Sequence, residues 1–558
     1  LAFYIELIKL KAVRKVFLKW FWTIQLIGVI AGTHTLEALA QSKYFIAFTD
    51  KQNSTFTIDK PDEFLSARSV ERRQKQGIAV TETDLPVVSA YISQIAQIAT
   101  KVHYSLRWFN GVIATLTPEQ EDTIRAFTFV KNLTRIYEPA KSLGEDKIEW
   151  QSLQFRDQNS FSNFDYGESY TQIAMMNGHI LHGNGYLGDG MVIAVLDAGF
   201  QDANTHFTLD SLWQKGRILG TYDFVNPQSN IFDEHPHGTM VLSTMGGYTS
   251  GQLIGTAPQA KYWLIRTEDA AAEQLIEEYN WAAGAEFADS VGADIINSSL
   301  GYTTFDVASQ NHTYQDLNGN TAPVTLAANM AASKGMVVVV SAGNDGYTSW
   351  HYISFPADSP NVLTVGAVDS NRNKADFSSF GPTADGRIKP DVCAMGVQTV
   401  LVTPDGAIGI SDGTSFSSPL MAGMVACLWQ AKPTLTAQQI IELVINSSSN
   451  YINPNNDIGY GIPDFAKASN INGTEFQSDV ELWPNPFTSK INVLLNKPNI
   501  QATITVCTIS GQNLLSQKTQ SNDFGSVEIN LRNELPQGTY LITIRTNEGE
   551  YNALGIKQ

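Results

Sequence analysis

Four residues of this 558-residue chain have side chains that could together perform acyl transfer: Asp197, His237, Asn344 and Ser415. A serine hydroxyl is a weak nucleophile until a base takes its proton. A neutral histidine can take it near pH 7. A carboxylate on the other ring nitrogen fixes the tautomer and stabilises the imidazolium that forms. A side-chain amide, with a backbone N–H, can hold the oxyanion of a tetrahedral intermediate. Singly, each residue is ordinary: an Asp after a strand forms turns, and "GTS" is a common tripeptide. Their joint order Asp, His, Ser is one of three that occur among unrelated hydrolases.

The serine needs selecting, because "ISDGTSFSSPLMAG" (410–423) holds four. Ser411 belongs to the approach, and Ser417 and Ser418 fall within the first helical turn. Ser415 follows the Gly413-Thr414 turn and opens a helix. Its N–H is free of helix bonding there, and the helix dipole favours negative charge. Pro419 is expected early enough in the helix for its missing N–H to cost little. His235 competes with His237 for the base; His237 precedes Gly-Thr and opens an apolar helix, so His235 is expected at the rim.

These residues need a scaffold that presents strand ends. "MVIAVLDAGF", "KYWLIR", "ADIINSSL" and "GMVVVVSAG" are continuous apolar runs separated by helical stretches such as "AAEQLIEEYNWAAGAEFADSVG" and "VTLAANMAASKG". Such alternation predicts an α/β domain over 165–470, with a mostly parallel sheet covered on both faces. Function gathers at the carboxyl ends of such strands, and Asp197 and Asn344 stand there. Residues 41–150 predict a small α+β unit. It has a strand in "KYFIAFTD", a helix around Leu85–Thr100, strands in "HYSLRWFNGVIATL", a helix capped by Thr117 and a closing "LTRIYE". Short strands with turn signals over 475–558 predict a β-sandwich.

The composition is acidic, with net charge −18, 43% hydrophobic and 16% charged residues. That supports large cores, argues against nucleic-acid partners and favours a soluble protein. Three cysteines, Cys393, Cys427 and Cys507, imply no disulfide framework; Cys427 is expected in a core. Residues 1–40 have the layout of a secretory signal peptide. Lys9, Lys11, Arg14, Lys15 and Lys19 precede the apolar run Trp20–Gly32, and Ala38-Leu39-Ala40 offers a cleavage site.

The blocks around these residues resemble those of the subtilisin-like serine proteases, the subtilases. The matches are "VLDAGF" at Asp197, "HGTMV" at His237, "NSSLGY" at Asn297–Tyr302, "SAGNDG" at Asn344 and "DGTSFSSPLMAG" at Ser415. The resemblance covers roughly 170–465. It implies a three-layer α/β fold, an Asp197–His237–Ser415 triad and an oxyanion site from Asn344 and the Ser415 N–H. It also implies substrate contact by Ser299, Leu300, Gly301 and Gly343, with extended peptide paired as an antiparallel strand.

Three departures stand out. Ala198 replaces a small hydroxyl residue and weakens one hydrogen bond at the acid. Tyr302 replaces a glycine, so its ring is expected to narrow the cleft. Phe416, following Ser415, is expected to pack only.

Residues 41–150 resemble the inhibitory propeptide of secreted subtilases. The tail, with "WPNPF" (483–487), "LPQGTYLITI" (535–544) and "GIKQ", resembles the sorting domain of the type IX secretion system of Bacteroidota. Together these imply a monomeric secreted or surface endopeptidase made as a zymogen. Its partners would be peptide substrates, its own propeptide and the secretion machinery, and catalysis would need no cofactor. The alternative is a catalytically inactive binding protein with the same fold. Members of the family bind structural Ca²⁺; Asp316–Asn320 ("DLNGN") alternates oxygen side chains, and an Asx-rich turn is the simpler account.

Overall fold

The computed structural model describes residues 42–139, 150–152 and 164–470, and in the tail 481–483, 489–494, 500–508, 513–522, 526–530, 535, 538–546 and 550–557. The expected signal peptide, residues 484–487 of "WPNPF" and residues 536–537 of "LPQGTYLITI" lie outside the described residues, as does the final Gln558. The chain divides into two compact units, with the division after Ser469.

The first unit opens with an antiparallel sheet. Its strands are β1 (Ser42–Phe48), β2 (Lys101–Leu106), β3 (Gly111–Leu116) and β4 (Val130–Tyr137), in the order β2-β3-β1-β4. Three helices accompany it: α1 (Ala67–Gln76), α2 (Ser89–Ile98) and α3 (Pro118–Arg125). Thr117 caps α3 in a capping box with Gln120. Period-two alternation gives β1 two apolar faces. Tyr44, Ile46 and Phe48 pack with Ile95 and Ile124 of the unit's own helices. Phe45, with Ile113 and Ile136, enters the core of the domain that follows. A further short strand, β5 (Trp150–Ser152), comes next in the chain.

That domain is built on seven parallel strands: β6 (Val192–Asp197), β7 (Ile218–Asp223), β8 (Lys261–Arg266), β9 (Ile295–Ser298), β10 (Val337–Ser341), β11 (Leu363–Val368) and β12 (Val392–Met395). They lie in the order β12-β11-β10-β9-β6-β8-β7. Strand β10, VVVVS, is buried along its whole length, because a parallel sheet is covered on both faces. Helices α4 (His237–Gly246) and α7 (Thr414–Ala431) pack against each other, and α5 (Ile276–Val291) packs against α6 (Pro323–Ser333). Ala194, Leu196, Val338 and Val340 share a core with α5 and α6. Helix α7 is apolar all round because it is buried over most of its length.

An antiparallel hairpin, β13 (Thr399–Val402) and β14 (Ile408–Ser411), leads into α7, and β5 adds a third strand to it. Helix α8 (Ala437–Ser447) follows α7, and a last short helix, Phe465–Ser469, ends the unit.

The tail is a two-sheet β unit. One sheet holds 481–483, 490–494 and 526–530, the other 501–508, 513–520, 538–546 and 550–557. Alternate residues Ile491, Val493, Ile504, Val506, Val527, Ile529, Ile542 and Ile544 form its core, as a sandwich requires.

Candidate active site

Asp197 is the last residue of β6, and His237 is the first of α4. Two glycines let these segments touch. The Gly238 N–H donates to the Gly199 carbonyl at 3.0 Å. A Cβ on Gly238 would meet that carbonyl oxygen at 2.3 Å, so a larger residue would force them apart. His237 Nδ1 lies 2.7 Å from Asp197 Oδ1. The same oxygen accepts the Ala198 N–H at 2.8 Å. Asp197 Oδ2 is buried with no hydrogen-bond partner, as expected with a methyl where a hydroxyl would reach it. Arg266 ends β8 beside Asp197. It donates to the Ala198 carbonyl at 3.0 Å and pairs with Asp223 and Glu234, bracing both loops. His235 accepts the His237 N–H at its Nδ1, 3.3 Å away, and thereby orders the start of α4.

Gly413 precedes α7 with φ +149°, a conformation that side chains avoid. The helix then opens Thr414-Ser415, and Thr414 sets the amide of Asn344. Asn344 Oδ1 accepts both the Thr414 N–H and the Thr414 hydroxyl, each at 2.9 Å. With its oxygen so occupied, the carboxamide presents its NH₂ on the opposite side. Thr414 Oγ1 also accepts the Gly343 N–H at 3.2 Å. Phe416 is buried with its ring 6.0 Å from that of His237.

Pro419 corrects one expectation. It lies in the second turn of α7, where its N–H would have bonded to the carbonyl four residues back, that of Ser415. The Ser299 hydroxyl donates to that carbonyl instead, at 2.8 Å. Ser415 Oγ in turn donates to the Ser299 carbonyl at 3.3 Å. The segment Ser299–Gly301 just after β9 is thus tied to the start of α7.

Tyr302 corrects another. Its backbone bridges antiparallel to Phe355, which turns the ring away from the cleft and into the core, fully buried. Its hydroxyl donates to Glu268 at 2.9 Å. Burial pushes the Glu268 carboxyl up to about 7, and the Asp197 charge adds to that rise.

Glu268, Glu273 and Glu277 bring three carboxylates together, the one group of metal-ligating side chains found among the described residues. The Glu277 oxygens already accept the Asp269 and Gln274 N–H groups, so the trio reads as a capped loop. Asp316–Asn320 forms an Asx-rich turn: Asp316 Oδ2 caps the Thr313 N–H and hydroxyl, and Asn318 Oδ1 accepts from Asn320 and Thr321. Cys427 is buried in α7, its thiol donating to the Thr256 carbonyl, a core residue as expected.

The sequence reading missed Thr414, the Ser299 hydroxyl and Arg266. Arg266 closes an apolar run and was open to the same rule that found Asp197. The other two were visible only as part of "GTS" and "NSSLGY".

Comparison with known proteins assigns three segments of the chain to families. Residues 188–461 match the subtilase family, 43–152 a peptidase S8 propeptide domain of Bacteroidota, and 481–557 a secretion-system C-terminal sorting domain. The last marks the chain for export to the cell surface or the medium. Subtilisin NAT of Bacillus subtilis subsp. natto is 31% identical over 293 residues, covering 52% of this chain and 68% of the relative. Subtilisin of Bacillus pumilus is 30% identical over 294 residues, 52% of this chain and 94% of that protein. The serine protease AprX of Bacillus subtilis (strain 168) is 32% identical over 301 residues, 49% and 64% of the two chains. The chain therefore belongs to the subtilase family and is a subtilisin-like serine endopeptidase, with a propeptide before its peptidase domain and a sorting domain after it.

Proposed function

We propose that Ser415 attacks the scissile carbonyl of a peptide while His237 takes its proton and then delivers it to the leaving amine. Asp197 holds the imidazole with Nδ1 protonated, leaving Nε2 as the base, and stabilises the imidazolium. Asn344 Nδ2 and the Ser415 N–H hold the oxyanion. Water then hydrolyses the acyl-enzyme by the same steps in reverse order. Ser299, Leu300 and Gly301 receive the substrate as a paired strand, with Gly343 opposite.

The observation that carries this reading is the 2.7 Å contact between His237 Nδ1 and Asp197 Oδ1. The outward-turned Asn344 amide beside Thr414-Ser415 supports it. Nothing in the site favours the inactive binding protein, since every reacting group is intact.

In this reading residues 1–40 direct export and 41–150 inhibit the peptidase over 165–470 until they are cut away. The domain over 475–558 addresses the chain to type IX machinery. The enzyme acts as a monomer. Ser415→Ala and His237→Ala should each abolish casein hydrolysis, since the corresponding losses in subtilisin lower kcat about 10⁶-fold. Asp197→Asn should cost roughly 10⁴-fold through the wrong tautomer. Casein hydrolysis at the wild-type rate in Ser415→Ala would end this assignment.

A further inference from the structure

The N-terminal unit contains an excursion that its four-stranded sheet does not require. Between β1 and α2 the chain runs out through Pro61–Val88 and back, carrying α1, ARSVERRQKQ. A helix so polar would ordinarily lie in water, yet Arg72 and Arg73 are 4% and 1% exposed. Their main partner is Asp289 near the end of α5, itself fully buried. Arg72 donates to the Asp289 carboxylate and to the Ala293 carbonyl. Arg73 bridges Asp289 and Asp84, each at 2.9 Å. Arg107, from the β2–β3 turn, makes the third cation on Asp289. Lys334, beyond α6, crosses the other way to Asp84 at 3.1 Å and the Thr83 hydroxyl at 2.9 Å.

The rim of this contact is built as closely. Arg68 donates to the carbonyls of Gly292 and Gly190, at 2.9 and 2.8 Å, and pairs with Asp294. Gln76 donates to the Gly335 carbonyl at 2.7 Å and accepts the Ala437 N–H at 2.8 Å. The Ser66 N–H donates to the Ser290 carbonyl at 2.9 Å. The arm is fastened to its own sheet by Lys51, whose ammonium donates to the carbonyls of Glu82, Thr83, Leu85 and Arg107. None of these partners belongs to the active site.

We propose that Pro61–Val88 is a second docking arm, which keeps the propeptide on the peptidase through Asp289 after the connecting chain has been cut. The face formed by the end of α5, Lys334 and the start of α8 is its receptor, fitted to a helix bearing arginines at i, i+4 and i+5. The proposal rests on the reading that the propeptide is cut from the peptidase. Two contacts on one folded unit release only when both open together, because each holds the other at high effective concentration. Cleavage alone then does not free the cleft; the arm must also let go. Asp289 is decisive because removing either it or Arg72 leaves the other charge buried and unpaired in the docked complex, whereas in the separated parts water solvates it.

The test uses the full chain, allowed to process and then blocked with phenylmethylsulfonyl fluoride so that freed propeptide survives. Dissociation of propeptide from peptidase is followed by biolayer interferometry for wild type, Asp289→Asn, Arg72→Gln, the pair of them, and the rim variant Arg68→Ala. Both fragments should appear on denaturing gels in every case. Dissociation should quicken about 30-fold or more for Asp289→Asn or Arg72→Gln, as for other buried charge pairs that lose one partner. The double variant should add little, because the two residues form one contact. Arg68→Ala, half in water, should quicken it by about threefold. Dissociation within twofold of wild type in the core variants, with unchanged melting temperature, overturns the arm. If the core variants do not fold, an unchanged rate in Arg68→Ala overturns it. A single uncut band in the wild type would instead contradict the zymogen reading.

Discussion

Thr414→Val tests whether the oxyanion donor is oriented by its neighbour. Asn344 Oδ1 accepts two hydrogen bonds from Thr414, N–H and hydroxyl, both at 2.9 Å. Reversing the carboxamide would turn its oxygen toward the oxyanion and lose both bonds. At ~1 kcal/mol net for each bond, the correct orientation is favoured by ~2 kcal/mol, leaving about 3% reversed. Valine removes one bond, and about 15% is then reversed. That alone lowers kcat by less than a factor of two. The Gly343 N–H also loses its acceptor, 3.2 Å away, which loosens the strand end that carries Asn344. Together these place the loss between about twofold and tenfold, or at most ~1.4 kcal/mol. Removing the donor itself, in Asn344→Ala, should cost ~2.7–4 kcal/mol, about 10²–10³-fold in kcat; that figure comes from subtilisin. The assay is kcat and KM on a peptide p-nitroanilide for wild type, both single variants and the double variant. Thr414→Val should lower kcat within that window with KM within a factor of two. The double variant should match Asn344→Ala, because Thr414 then has nothing left to orient. A hundredfold loss in Thr414→Val, or losses that multiply in the double variant, would refute the reasoning and put the Thr414 hydroxyl on the oxyanion itself.

Two other outcomes follow from buried groups. Ser299→Ala leaves the Ser415 carbonyl without its donor and should lower unfolding stability by about 1–3 kcal/mol in urea titration. The loss should shrink in a Pro419→Ala background, where the restored N–H can take that carbonyl; an equal loss in both backgrounds contradicts the pairing. Glu286 accepts the N–H groups of Arg107 and Trp108 at 2.8 and 2.9 Å, and burial pushes its carboxyl up to about 7. A free glutamate titrates near about 4.3, so docking the propeptide takes up a proton. Affinity is full below that value and falls as pH rises toward 7, by at most about tenfold per unit. The propeptide Kd measured from pH 5 to 8 should weaken and then level off, and Glu286→Gln should flatten the profile. Affinity that rises with pH would show the opposite linkage.

The parallel sheet and the candidate site residues were legible because burial on both faces makes strands such as VVVVS apolar almost throughout. Asp197 then stands out as the polar last residue of β6, and Asn344 lies three residues past the end of β10. Helix α7 was legible from "GTSFSSPLMAG", but its Pro419 was misjudged. One-dimensional spacing does not show that the freed carbonyl is that of Ser415, or that a serine 116 residues away satisfies it. Tyr302 was misjudged for a related reason. Its place in a cleft motif suggested a protruding ring, and a bridge to Phe355 turns it inward. Helix α1 was not read, although Ser66 and Gly77 cap it. Apolar periodicity marks elements held by apolar contact, and this one is held by ion pairs, those to Asp289 reaching more than two hundred residues along the chain. Strand β5 is similar: three residues pair with β14 only once that hairpin exists.

The central claim is that one serine among four in 410–423 is the nucleophile. Its most direct test is the position of a covalent adduct. Processed enzyme treated with diisopropyl fluorophosphate should gain one diisopropylphosphoryl group by intact mass, with peptide mapping placing it on Ser415. His237→Ala should slow the labelling by orders of magnitude. An adduct on Ser411, Ser417 or Ser418, or none in enzyme that still cleaves casein, would contradict the account.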